Sequence, residues 1–185
     1  MRKFLIIILA VMAVNARAQS TWKVDKGHSS INFSVSHFLI SDVTGNFSDF
    51  DIEAISDDKL DNPKVKVSIN AASIDTNNDK RDDHLKADDF FGVEKYPNIT
   101  FNSAVFENLG DGKFSITGDL SIKGITKEAV FDGKIRGIIT DRNGRLKAGL
   151  KLTTVVKREE FNVGNGMASI GDDVTVEINL EMSQQ

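Results

Sequence analysis

From residue 21 onward, apolar residues recur at every second position through most of the chain. This two-residue period places side chains alternately on the two faces of a β-strand, whereas a helix repeats every 3.6 residues. Eight alternating runs can be counted, and clear examples span residues 31–35, 50–54, 65–69 and 174–182. Because helical spacing is nearly missing, the pattern predicts an all-β protein.

Turn signals between the runs indicate how the strands connect. Residues 110–112 (Gly-Asp-Gly) and 143–144 (Asn-Gly) are typical of tight hairpins. The runs at 129–140 and 145–156 are each 12 residues long, which suits the tilted strands of a closed barrel better than a small sandwich. A barrel also leaves no long apolar edge unpaired. We therefore expect a meandering antiparallel barrel.

Two segments interrupt the alternation. Residues 77–86 are polar, begin with Asn77, which can cap a helix, and carry acidic residues where the helix dipole favours them. We expect a short helix there, inserted between two strands. Residues 37–41 contain consecutive apolar residues, so a second short non-strand piece is expected at that position. Both pieces could close an end of the barrel.

The first 18 residues have the features of a secretory signal peptide. Arg2 and Lys3 precede an apolar run at residues 4–14, and residues 16–18 (Ala-Arg-Ala) form a cleavage pattern of small residues. The apolar run is well short of the roughly 20 residues that a membrane-spanning helix needs. We expect residues 19–185 to form one exported domain, in the periplasm or outside the cell, without stable membrane insertion.

Charge and cysteine content exclude several classes of protein. Removing Arg2, Lys3 and Arg17 with the signal peptide lowers the basic count from 23 to 20 against 27 acidic residues, which gives a formal charge of −7. Such a chain lacks the basic face that a nucleic acid or an anionic membrane requires. Cysteine is absent from the sequence, so no disulfide supports the fold.

Several short motifs follow one another in a characteristic order along the rest of the chain. They are Asp25-Lys-Gly-His28-Ser29-Ser-Ile31-Asn-Phe33, Val43-Thr-Gly45-Asn-Phe47, Ser73-Ile-Asp75-Thr-Asn77, Arg81-Asp-Asp-His84-Leu85, Asp89-Phe-Phe91, Tyr96-Pro97, Gly118-Asp-Leu120-Ser-Ile122-Lys-Gly124, Arg158-Glu-Glu-Phe161 and the strand at 174–180. In order and spacing they resemble the YceI-like family of bacterial exported proteins, over residues 21–182. One departure is Asn162, where relatives more often have a glycine directly after the phenylalanine, and it concerns the local turn.

This resemblance implies an extended lipocalin-like, eight-stranded antiparallel barrel whose long hydrophobic pore holds a polyisoprenoid chain. The ligand would be an isoprenoid lipid, such as an isoprenoid quinone or a polyprenyl phosphate, carried or stored in the periplasm. No cofactor is expected besides this bound lipid.

The aromatic composition fits such a pore. Eleven of the 12 Phe residues lie beyond the signal peptide, with one Trp and one Tyr, so most aromatic surface lacks a polar atom. Burying an isoprenoid tail would contribute roughly 0.8 kcal/mol per CH₂-sized group. The pore candidates are Phe33, Val35, Phe50, Ile52, Val67, Ile69, Phe101, Phe114, Ile116, Phe131 and Phe161. Alternatively such side chains fill the barrel, and the protein has a structural or stress-related interaction role.

Candidates for contacting the lipid head group lie in the two non-strand pieces. Arg81, His84 and Leu85 fall at i, i+3 and i+4 of the expected helix and so share a face. Arg81 and His84, together with His37, are the head-group candidates. An Arg fork could hold a phosphate or a quinone carbonyl, although Arg81 could instead be salt-bridged to neighbouring aspartates of the helix. The acidic net charge favours a neutral head group.

No catalytic or metal-binding pattern stands out. His28, His37 and His84 lack the short spacing of a metal site. Residues 164–169 begin like a dinucleotide fingerprint, but Ser169 replaces the third glycine. We expect a binding protein rather than an enzyme, with no metal and no catalytic residues. A homodimer could form if a second copy covers an apolar pore rim.

Overall fold

The computed structural model describes residues 19–185, so the expected signal peptide lies outside the described residues. The strands are β1 (Ser20–Val24), β2 (Ser30–His37), β3 (Ser41–Phe47), β4 (Phe50–Ser56), β5 (Lys64–Asn70), β6 (Ile74–Asp75), β7 (Asn98–Gly110), β8 (Lys113–Ile122), β9 (Ile125–Thr140), β10 (Leu146–Lys157) and β11 (Ile170–Gln184). One helix, α1 (Asp79–Lys86), lies between β6 and β7, and short 3-10 turns cover Lys26–His28, Ala71–Ser73 and Arg158–Phe161. The prediction of an all-β chain with a short helix is confirmed.

The eleven strand segments form an eight-stranded antiparallel ring. Its order is β1-β4-β5-β7-β8-β9-β10-β11, and pairing of β11 with β1 closes it. β2, β3 and β6 are continuations of β1, β4 and β5. For example, β2 follows β1 along the same edge of β11, with Val24 opposite Met182 and Ser30 opposite Asn179. The expected eight-stranded barrel is confirmed.

Three neighbouring strands of the barrel are interrupted side by side. Lys26–His28 separates β1 from β2, residues 48–49 separate β3 from β4, and Ala71–Ser73 separates β5 from β6. Side chains bind backbone groups that the sheet leaves unpaired there. The Ser73 hydroxyl, for example, accepts a hydrogen bond from the Asp49 amide at 3.0 Å. The interruptions therefore form a hydrogen-bonded belt on one side of the barrel.

The barrel has two different ends. At the turn end, strands are joined by the short segments 57–63, 111–112 and 141–145. The helix end carries the β2–β3 turn at 38–40, the segment 76–97 that contains α1, and the segment 158–169. The longer connections thus gather at the helix end.

Helix α1 begins with an asparagine cap. The side chain of Asn78 accepts a hydrogen bond from the Arg81 amide at 3.1 Å, whereas Asn77 adopts a left-handed conformation with a φ of 58°. Asp79 and Asp82 lie in the first turn, where the positive end of the helix dipole stabilises carboxylates. No helix in residues 19–185 combines the length and the apolar character that a membrane span requires.

The expected non-strand piece is present at residues 38–40, but its exposed side chains do not close the barrel as expected. Phe38, Leu39 and Ile40 form the turn of the β2–β3 hairpin, and they are 62%, 90% and 87% exposed. The Ile40 amide donates to the His37 carbonyl at 3.2 Å and so fixes the turn. The consecutive apolar residues therefore stand at the tip of a hairpin instead of folding over the opening.

Candidate functional site

An apolar cavity of about 450 Å³ lies inside the barrel. A single buried water needs only about 15 Å³, so the interior is hollow. Inward-facing residues from opposite sides of the ring form the wall, such as Ile52 on β4, Ile116 on β8 and Ile178 on β11. The structure therefore lacks the side-chain-filled interior of the alternative interpretation.

Glycines opposite phenylalanines help to keep the cavity open. Phe33 pairs directly with Gly45, and Phe114 pairs directly with Gly133. A Cβ on Gly45 would lie 2.5 Å from Phe33 Cζ, and a Cβ on Gly133 would collide with the ring of Phe114. Each ring therefore occupies the space that a side chain on the neighbouring strand would take. Because the rings lie along the wall, they fill less of the interior.

Nine of the eleven predicted pore residues line this cavity. They are Phe33, Val35, Ile52, Val67, Ile69, Phe101, Phe114, Ile116 and Phe131. The structure differs from the prediction at Phe50 and Phe161, which are both 4% exposed and belong to the packed core. Phe50 begins β4 with the same inward parity as Ile52 but packs within the core cluster, whereas Phe161 lies in the 3-10 turn after β10, where the two-residue period no longer applies.

The wall also contains residues that the sequence analysis did not select. Nine of them come from β10 and β11, namely Leu150, Leu152, Val156, Ile170, Val174, Val176, Ile178, Leu180 and Met182. They continue the same alternation, so their inward position could have been predicted. Phe90, Phe91 and Met167 come from the irregular segments at the helix end, where no period marks an inward side chain.

The three predicted head-group residues, His37, Arg81 and His84, all border the cavity. Arg81 donates from Nε to the Thr76 hydroxyl at 2.7 Å and from Nη2 to the Thr76 carbonyl at 2.8 Å. The Thr76 hydroxyl donates in turn to the Asp82 carboxylate. Among residues 19–185, Arg81 is therefore linked to Asp82 through the Thr76 hydroxyl. This indirect link replaces the direct salt bridge to a helix aspartate that the sequence analysis considered.

The two histidines lie at the rim of the cavity. The His84 side chain is 54% exposed, its Nε2 is 2.8 Å from Asp89 Oδ2, and its ring meets Phe90 edge-on. The hydrogen bond with His84 is the main reason why the pKa of Asp89 lies below its ordinary value. His37 is half-buried at the end of β2, and its ring centroid is 4.4 Å from that of Phe38.

A buried arginine fixes the segment that crosses the helix end. The Arg158 side chain is 7% exposed. It donates to the backbone carbonyls of Val163, Gly164, Met167, Ile170 and Gly171. Its guanidinium also pairs with the Glu159 carboxylate, with Nη2 3.2 Å from Oε1, and is therefore fully engaged by the protein. Asn162 has a φ of 55°, a left-handed conformation that asparagine tolerates, so the turn forms without the glycine of relatives.

Comparison with known proteins settles the family. A family model described as the YceI-like domain matches residues 22–182. The chain belongs to the YceI-like family. The resemblance noted from the short strings is confirmed. Protein YceI from Escherichia coli O157:H7 is 34% identical over 180 residues, which cover 95% of this chain and 93% of that protein. A UPF0312 protein from Ectopseudomonas mendocina is 33% identical over 185 residues, covering 97% and 96%.

Solved structures share the barrel of this YceI-like protein. The Campylobacter jejuni YceI protein is 34% identical with a TM-score of 0.75, covering 88% of this chain and 96% of that one. Burkholderia cenocepacia BcnA is 23% identical with a TM-score of 0.77, and the match covers 85% of this chain and 98% of BcnA. A polyisoprenoid binding domain from Saccharophagus degradans, implicated in plant cell wall breakdown, is 15% identical with a TM-score of 0.67, covering 89% and 98%. The last two likenesses concern the fold alone.

One cluster of possible metal ligands lies outside the cavity of the YceI-like barrel. Asp25, His28 and Glu181 bring three ligand atoms within 4.8 Å of one another. Lys147 stands among them, with Nζ 2.6 Å from Glu181 Oε1 and 3.8 Å from Asp25 Oδ2. The hydrogen bond to Glu181 is the main reason why the pKa of Lys147 is raised. An ammonium group therefore already pairs with both carboxylates of the cluster.

Proposed function

We propose that this YceI-like protein binds an isoprenoid-tailed lipid and acts as a periplasmic carrier or storage protein. The observation that carries the proposal is the apolar cavity of about 450 Å³ inside the barrel. Protein interiors are normally close-packed, because unfilled apolar space forfeits dispersion contacts. A long apolar ligand would restore those contacts. The Saccharophagus degradans neighbour, described as a polyisoprenoid binding domain, supports an isoprenoid as the ligand class.

The wall suits a flexible hydrocarbon tail. Aliphatic and phenylalanine side chains from β2 to β11 surround the cavity, and the rings of Phe33 and Phe114 lie along the wall. Each buried CH₂-sized group contributes roughly 0.8 kcal/mol without a directed contact. Affinity is then expected to rise with tail length until the cavity is filled, and selectivity depends on the head group.

We assign the head group to the helix end, near His37, Arg81 and His84. The bonds to Thr76 use two of the five N–H donors of the Arg81 guanidinium, and they hold it at the edge of the cavity. A quinone carbonyl or a phosphate oxygen could accept from the remaining donors. The formal charge of −7 beyond the signal peptide favours the neutral quinone.

Mass spectrometry of an organic extract of the purified mature protein tests the proposal. We expect a near-stoichiometric isoprenoid lipid, either retained through purification or taken up during incubation with isoprenoid quinones and polyprenols. A protein that retains none of these after incubation would contradict the carrier role and favour the interaction protein.

A matched pair of variants links any retained lipid to the cavity. Val67 lines the cavity, whereas Val130 is exposed on the outer face of β9. Val67→Phe occupies cavity space and should lower the amount of retained isoprenoid several-fold. Val130→Phe makes the same chemical change outside and should leave it unchanged. Equal retention in both variants would show that the lipid is bound elsewhere.

A further inference from the structure

The tip of the β2–β3 hairpin exposes three consecutive large apolar side chains. Phe38, Leu39 and Ile40 are 62%, 90% and 87% exposed. Other exposed apolar residues of the described chain, such as Val105 and Val155, lie on the sides of the barrel and are isolated in sequence. A contiguous apolar group on a protruding hairpin is uncommon and marks a contact surface.

The turn itself does not require these residues. Phe38 and Leu39 have φ values of 51° and 58°, the left-handed region in which a tight hairpin turn prefers asparagine and glycine. An Asn-Gly pair would form the same turn with less steric conflict. The apolar side chains are therefore retained at a position where the local backbone disfavours them, and a role outside the hairpin explains their presence.

The tip is connected directly to the mouth of the cavity. The Phe38 ring packs against His37, which borders the cavity, with ring centroids 4.4 Å apart. The Phe38 amide donates to the carbonyl of Ser169 at 2.8 Å, and Ser169 also borders the cavity. Any surface that binds residues 38–40 would therefore lie next to the mouth of the cavity at the helix end.

From these observations we infer that Phe38, Leu39 and Ile40 insert into the surface of a lipid bilayer and set the cavity mouth against it. Three side chains are too few for a stable protein partner, because a standard interface buries about 800 Å² on each side and even an aromatic side chain buries at most about 250 Å². Shallow insertion of a few apolar side chains, by contrast, gives the weak and reversible membrane contact that a lipid-exchanging protein needs.

Charge specifies the kind of bilayer. The chain beyond the signal peptide carries a formal charge of −7, so an anionic surface repels it. The contact is therefore apolar in origin and strongest on zwitterionic phosphatidylcholine. Transfer of an isoprenoid lipid through this contact rests on the function proposed above, whereas the membrane contact itself does not.

The test compares vesicle binding by the natural mature chain and by a hairpin variant. Phe38→Asn, Leu39→Gly and Ile40→Thr together place favoured turn residues at the tip, so the hairpin is expected to fold. In flotation with phosphatidylcholine vesicles, we expect the variant to bind at least about tenfold more weakly. Val105→Thr with Val155→Thr, on the barrel sides, should leave binding unchanged. Equal vesicle binding by the hairpin variant and the natural chain overturns the inference. If the natural chain is a dimer in solution and the hairpin variant is a monomer with unchanged vesicle binding, the tip contacts a second copy and the inference is also overturned.

Two lipid assays separate this inference from the carrier role. The first measures uptake of an isoprenoid quinone added from ethanol, and the second measures its uptake from phosphatidylcholine vesicles. We expect the hairpin variant to retain the first and to slow the second about tenfold. If the natural chain takes up neither the quinone nor a polyprenol in the first assay, the proposed carrier function fails, and the vesicle-binding test still decides the membrane inference. If the variant matches the natural chain in the second assay, the membrane inference fails.

Discussion

The ring of Phe114 occupies the position that a Cβ on Gly133 would take, and the two residues are direct partners in the β8–β9 ladder. Any side chain at residue 133 must therefore displace this ring from the wall toward the interior. The relationship connects a glycine in the middle of a strand to the volume of the cavity.

Gly133→Ala should both destabilise the barrel and reduce ligand retention. Overpacking of this kind costs about 1–3 kcal/mol in the free energy of unfolding. Urea denaturation and quinone retention measure the two effects. Gly137→Ala on the same strand is the matched control, because a Cβ there meets nothing within 4 Å. If both alanine variants behave alike, the contact between Phe114 and Gly133 does not determine the cavity volume.

Replacing Arg81 and His84 together should change which head group is preferred. Arg81→Gln with His84→Asn removes the guanidinium and the imidazole from the cavity edge but leaves the apolar wall intact. We expect the preference between isoprenoid quinone and polyprenol to be lost while tail binding persists, as measured by competitive uptake. Lys80→Gln, an exposed change on the same helix, is the control. Unchanged selectivity would exclude both residues from the head-group site.

Arg158→Met should destabilise the helix end. The substitution leaves several buried backbone carbonyls of segment 158–171 without their donor, which costs about 3 kcal/mol in total. Thermal unfolding and hydrogen exchange of residues 162–169 measure the loss. Arg145→Met, at a side chain that is 56% exposed, should cost less than about 0.5 kcal/mol. Normal exchange protection of residues 162–169 in Arg158→Met would contradict the structural role of Arg158.

Asp25 should contribute to acid sensitivity. Its hydrogen bond with His28, supported by the Gly27 amide and Lys147, holds the pKa of this carboxyl below its usual value of 3.8. A carboxyl with a lowered pKa stabilises the folded state above its unfolded-state pKa, and this stabilisation is lost as the pH falls through the folded-state pKa. Asp25→Asn should therefore be less stable than the natural chain near neutral pH.

The measurement for Asp25 is the free energy of unfolding in urea from about pH 7 to about pH 2. The difference between Asp25→Asn and the natural chain should shrink below pH 3.8, where the natural carboxyl becomes protonated. A difference that stays constant across this range would show that the ionised form of Asp25 is not responsible.

Much of the barrel could be predicted because a two-residue period has a direct structural meaning. The alternation that identifies the strands of Ile52 and Val67 also predicts that both side chains face inward, so most of the cavity wall was predictable. The two-residue period stops at Phe161, in a 3-10 turn, whereas Phe50 keeps the period of β4 and is packed within the core. The alternation does not predict whether inward side chains fill the barrel or leave a cavity. That depends on contacts between strands, such as the packing of Phe33 over Gly45.

Other features depend on contacts that no local pattern encodes. The hydrogen bond from the Asp49 amide to the Ser73 hydroxyl joins residues that are far apart in sequence. Residues 38–40 misled the prediction because consecutive apolar residues are usually buried. Arg81 lies among aspartates, yet its side-chain hydrogen bonds go to Thr76, two residues before the cap, because a helical side chain is directed back toward the helix N-terminus.

The closure of β11 onto β1 and β2 governs how the protein folds. The Ser29 hydroxyl accepts a hydrogen bond from the Glu181 amide at 2.9 Å, across a separation of 152 residues. Until β11 is in place, the half-made sheet has two open edges and its apolar lining faces water. Because this contact has a high loop-closure entropy, assembly should end in one slow, cooperative step. A circular permutant that joins β11 to β1 through a short linker and opens the chain at the 141–145 turn should complete that step faster.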